Sequence, residues 1–98
     1  MDTIGTLCQE MESILSGINA AGLKNMDPGV IDKIEKIGQT AEKFLMKTGK
    51  KLCDNLVASL KSFQEGKSDE NSVTLRMTAI DFYIKKVLSE KEDDIKDL

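Results

Sequence analysis

The side chains with the most capacity for chemistry are two cysteines, Cys8 and Cys53, and the lysines around the stretch "MKTGKKLCDN", residues 46–55. A thiol becomes a nucleophile or a metal ligand as its thiolate, which a nearby cation, base or metal must stabilise. Histidine, the commonest such base, is absent from the whole 98-residue chain. Its absence excludes Ser-His-Asp and Cys-His pairs, His-containing zinc sites, Glu-x-x-His di-iron bundles and a histidine-accepting phosphotransfer bundle. The two cysteines follow no CxxC spacing, and Lys50 and Lys51 stand only three and two places before Cys53. On a helix, side chains so spaced diverge or meet only partly. Both cysteines therefore read as small buried apolar groups. The expectation is a protein that is not an enzyme, with no catalytic residue, no metal ligand and no cofactor.

Other chemistry fails on spacing. A Walker-type phosphate loop needs a glycine five residues before the Gly-Lys pair and a hydroxyl after the lysine; here Phe44 and Lys51 occupy those positions. The segment "DENSVTLRMTAI" from Asp69 lacks the glycine at position six and the glutamate at position twelve of a calcium loop. The carboxylates Glu90, Glu92, Asp93 and Asp94 read as a solvated acidic end.

Charge is distributed in three blocks, −3 over residues 1–40, +3 over 41–67 and −3 over 68–98. In the basic block Lys43, Lys47 and Lys50 are expected on one helix face, with Lys36 further back. Nucleic-acid binding calls for a larger patch, arginine and stacking aromatics, whereas Arg76 is the only arginine and the chain holds four aromatic residues. The lysines read first as a solvated face, and a nucleic-acid-associated regulator stays as the alternative function. Met11, Met46 and Met77 fall on or beside apolar stripes, as core residues or as a methionine-lined groove for a partner helix. These six residues, three lysines and three methionines, form the candidate interaction surface.

The elements that must position these residues are helices. Ile4, Leu7, Met11, Ile14 and Ile18 recur at steps of three and four, with Cys8 and Leu15 widening the stripe. Gly22 suits the position after that helix, and Leu23 can pack back on Ile18 as in a Schellman ending. Asp27 followed by Pro28 is a strong helix start, with Met26 and Ile31 placed for a hydrophobic staple. After the breaker run "EGKSDENS" a last helix is expected from Asn71 or Ser72. Its stripe is Val73, Met77, Ile80, Ile84 and Val87, flanked by Leu75, Phe82, Tyr83 and Leu88. Residues 1–89 then form one domain, and 90–98 an acidic, frayed tail.

Between Pro28 and Glu65 two readings compete. Val30, Ala41, Leu52 and Phe63 are spaced by eleven, as are Ile34, Leu45 and Leu56, and both series pass Gly49 without slipping. Such a repeat is produced by a nearly straight helix. Gly49 as a helix end would leave Lys50 and Lys51 as cations at the positive start of the next helix, with no capping residue. The favoured reading is an all-α antiparallel bundle of three helices, with one long central helix from Pro28 to about Glu65, bent at Gly49 if at all. A turn at Gly49 would instead give four helices. The long helix would leave two half-hairpins with open apolar faces, which a homodimer would close; the four-helix form could be a monomer.

The first residues, "MDTIGTLCQEMESILSG", carry acids throughout and lack the basic start and apolar block of a signal peptide. No segment approaches the ~18 apolar residues of a membrane span. A cytoplasmic, non-membrane protein is expected, and its lysine-heavy basic complement fits a bacterial source. Its expected role is a non-enzymatic protein–protein interaction or assembly module acting through apolar helix faces, with a second copy or another helical protein as partner.

Overall fold

Asp27 and Pro28 start a helix as their chemistry requires. The Asp27 carboxylate accepts the Gly29 N–H at 2.9 Å. Pro28, at φ −55° and ψ −28°, already has helical backbone where no N–H is needed. In the computed structural model, which describes the backbone of residues 3–96 and the side chains of residues 4–89, this helix is α2 (Gly29–Lys43). It follows α1 (Thr3–Ala21) and a short 3-10 turn (Leu23–Asn25), and precedes α3 (Lys47–Gln64) and α4 (Glu70–Lys96). Among the described residues there is no strand.

The helix ends follow local rules. Asp69 caps α4, accepting the Ser72 N–H at 3.1 Å and its hydroxyl at 3.2 Å, so α4 begins at Glu70, just ahead of Asn71. α3 ends in a Schellman pair: Lys67 N–H to the Ser62 carbonyl at 2.9 Å and Gly66 N–H to that of Phe63 at 3.0 Å, with Gly66 at φ +76°. α1 ends more simply, on a single bond from Gly22 N–H to the Ile18 carbonyl at 2.8 Å with φ +84°, and Leu23 packs against the core as expected. The acidic tail expected over 90–98 lies outside the described residues, in its side chains throughout and entirely at 97 and 98.

The long central helix does not form, and the chain turns ahead of Gly49. α2 closes in a complete Schellman motif built on a leucine: Met46 N–H reaches the Ala41 carbonyl at 2.9 Å, Leu45 N–H reaches that of Glu42 at 3.1 Å, and Leu45 sits at φ +60°. A left-handed conformation costs a non-glycine residue roughly 1–2 kcal/mol. Reversal of the chain outweighs that cost. It lays Ile34, Ile37 and Ala41 of α2 against Cys53, Leu56 and Leu60 of α3, all buried, and each large apolar side chain so enclosed contributes about 1.5–3 kcal/mol. The eleven-residue phase survives because it records which side of a helix is apolar, and that side is the same whether the chain continues or folds back. Leu45 alone leaves the stripe, at 81% exposure.

Gly49 lies inside α3 and is buried. A Cβ there would stand 3.2 Å from the Tyr83 ring, so the glycine's role is close approach of α4, not a turn. Each helix packs on its neighbours in sequence, and α4 closes the ring on α1. The Lys61–Glu35 pair at 3.1 Å joins the last turn of α3 to the first half of α2, as antiparallel neighbours require. At the centre Ile34, Leu56, Leu60 and Val73 are sealed from solvent. The architecture is an all-α, four-helix antiparallel bundle.

Candidate interaction surface

Once the ring closes, α4 retains apolar residues that the core does not use. Val73, Met77, Ile80 and Ile84 are buried, whereas Leu75 is 70% and Phe82 is 74% exposed. At 100° per residue these two lie roughly half a turn from the buried stripe, on the outer face of α4. They stand about 10 Å apart along the axis, with exposed Ala79 between them. Arg76 and Lys86 flank this ridge and are exposed. Lys85 is bound to Asp81 at 2.9 Å, so among the described residues the remaining charge beside the ridge is positive. Leu75 also borders a surface groove of about 480 Å³ between α3 and α4, walled by Ala58, Ser59, Ser62 and Ser72. Small side chains there leave room for another backbone to come close. A second exposed apolar pair, Phe44 and Leu45, sits at the α2–α3 turn.

Of the six residues singled out from sequence, two are enclosed and the other four are at least partly exposed. Met11 and Met77 are buried at 3% and 7% exposure, because both lie on the inward stripes of α1 and α4. Met46, half-buried in the α2–α3 connection, packs on the same core. The lysine face is divided by the turn: Lys43 ends α2, while Lys47 and Lys50 belong to α3. Lys50 donates to both Asp54 carboxylate oxygens at 3.0 Å. That bond, supported by the charges of Asp54 and Glu42, holds its ammonium above the ordinary value.

Cys8 and Cys53 are free, buried thiols, as expected. They come from α1 and α3 to line one apolar pocket, together with Met11 and Met46 among others. Burial pushes the Cys53 thiol up to about 11, the Asp54 charge adds to the rise and Lys50 opposes it. Burial, and then the Glu12 charge, raises Cys8 as well. Both are held as neutral thiols, the opposite of what a cysteine nucleophile needs.

The α4 ridge was open to sequence reasoning. Leu75 and Phe82 are expected on the flanks of the core stripe, yet their angular offset alone takes them to the far side. Among the described residues no helix is long and apolar enough to cross a membrane. No protein family, curated protein or solved structure matches the chain.

Proposed function

We propose that this bundle is a non-enzymatic docking module whose outer α4 face receives an amphipathic helix of another protein. The observation that carries this reading is the exposed Leu75–Phe82 ridge, two large apolar residues kept outside a core that is complete without them. Exposed apolar side chains two helical turns apart match the anchor spacing by which helices are recognised in grooves. The positive flank of Arg76 and Lys86 favours a partner whose apolar stripe is bordered by acids. A second copy is a weaker occupant, because the reason for a homodimer was an apolar face left open by a long helix, and here that face closes within one chain.

The test is capture from native extract with a photocrosslinking residue at position 79, beside the ridge, and mass-spectrometric mapping of the attached segment. An amphipathic helix with acidic borders is expected. Leu75→Glu and Phe82→Glu in the same protein should each weaken capture by at least about tenfold, the loss associated with an interface anchor. Their melting temperatures should stay near that of the parent chain, since both positions are exposed. Capture undiminished by either substitution would refute the proposal.

A further inference from the structure

The α2–α3 turn holds a leucine at a disadvantage twice over. Three residues, Phe44 to Met46, join α2 to α3, and the middle one, Leu45, sits at φ +60° with its side chain 81% exposed. Leu45 thus bears left-handed strain that glycine would not, and it leaves its apolar surface in water. Nothing in these three residues opposes a helix: there is no glycine or proline among them, and leucine and methionine are strong helix formers. Leu45 also falls in phase with the buried Ile34 and Leu56, eleven residues away on either side, which is the repeat of a nearly straight helix.

We propose that the chain has a second folded form, a domain-swapped dimer in which Phe44–Met46 become helical and α2 runs on into α3. The register of the monomer already suits it. A Cβ on Gly38 would stand 3.2 Å from the Cys53 Cβ, so α2 and α3 are level at these two residues, and the midpoint of 38 and 53 lies between Leu45 and Met46. Continuous helices over residues 29–64 would each be about 54 Å long at 1.5 Å per residue. Laid antiparallel about a two-fold axis at that midpoint, they bring Gly38 of each chain against the partner's Cys53. The α2–α3 and α1–α4 seams are then rebuilt between chains, while α1 stays on its own α2 and α4 on its own α3. Leu45 returns to the apolar stripe near the axis, where it meets the partner's Leu45. Short, strained hinges favour such an exchange, and the only contacts it adds are at the hinge.

Exchange requires the partners to meet while unfolded. Parting α2 from α3 uncovers Ile34, Leu56 and Leu60, which are sealed at the centre of the monomer. A chain that is already folded therefore keeps its mass as concentration rises, and dimers form when chains refold together. Once formed, they are held by the same core, and dilution alone does not reverse them. Pairing through the Leu75–Phe82 ridge differs on both counts, since it needs no unfolding and reverses on dilution.

The experiment is refolding of the reduced, full-length protein from urea at micromolar and at millimolar chain concentrations, followed by size-exclusion chromatography with light scattering. Monomer is expected at the low concentration, and a species of twice 10.8 kDa at the high one, persisting after dilution. The Lys61–Glu35 pair, 3.1 Å apart, joins α3 to α2, so in the swapped form carbodiimide should couple it between chains. From dimer refolded with equal parts of isotope-labelled and unlabelled chain, Lys61–Glu35 crosslinks labelled on one side only are expected, and none from the monomer. Leu45→Gly, which favours the turn and disfavours the helix, should lower the dimer yield by about tenfold or more, whereas Leu75→Glu should leave it unchanged. No dimer at the high concentration, a dimer without mixed crosslinks, a yield unaltered by Leu45→Gly, or a dimer lost on Leu75→Glu would overturn the proposal.

Discussion

Cys53 shows how position within the fold sets the chemistry of a single residue. Its thiol is pushed up to about 11 by burial in an apolar wall, against an ordinary value of 9.0. The folded chain therefore holds this proton where the unfolded chain has released it. Below the ordinary value both states are protonated and the group has no effect on stability. As pH rises from about 9 to 11 the unfolded state is favoured by up to about 1.4 kcal/mol per pH unit. Urea denaturation across that window should show a steeper loss of stability for the native chain than for Cys53→Ala, which removes this titration and leaves the lysines unchanged. Parallel curves for the two proteins would show that the thiol is not desolvated. The same burial makes Cys53 a slow target for alkylation at neutral pH, since little thiolate is present.

At the scale of elements the α2–α3 connection is the informative one. Asp27, Asp69 and Gly66 announce their helix ends because capping and left-handed backbone have chemical signatures that a sequence displays. Leu45 has none. It occupies a glycine position at φ +60° while carrying a side chain that fits the apolar phase, so its local chemistry argues for helix. Leu45→Gly separates the two possibilities by sign. At a left-handed turn it relieves strain and should stabilise the protein by about 0.5–1 kcal/mol. In a continuous helix the same change would destabilise by about 1 kcal/mol. Thermal melting of the two chains reads the direction; a lower midpoint for the glycine variant would contradict the turn. Gly49, the residue that looked like punctuation, is a packing device for Tyr83 instead.

For the whole molecule, closure of four helices into one ring removes the open apolar face on which the expectation of a homodimer rested. Every buried stripe finds its partner within the chain, and no charged side chain among the described residues is enclosed. Light scattering should give a mass near 10.8 kDa that is constant with concentration. A mass that doubles as concentration rises would mean that the Leu75–Phe82 ridge pairs with itself, and docking of a different protein there would have to be abandoned. The lysines grouped by sequence spacing are shared between two helices, Lys43 at the end of α2 and Lys47 and Lys50 in α3.

The sequence by itself determined the helical class, the inward stripes, two of the starts and the burial of both cysteines. Those properties depend on residues within a few turns of each other, where periodicity and capping act. Only the tertiary structure decided that the chain reverses at Phe44–Met46, and hence that there are four helices. That choice balances local strain at Leu45 against apolar burial between α2 and α3, and the gain appears only when both are present. The tertiary structure also set Cys8 of α1 and Cys53 of α3 on the lining of one pocket, because that placement depends on how the helices are arranged around a shared core and not on any spacing along the chain.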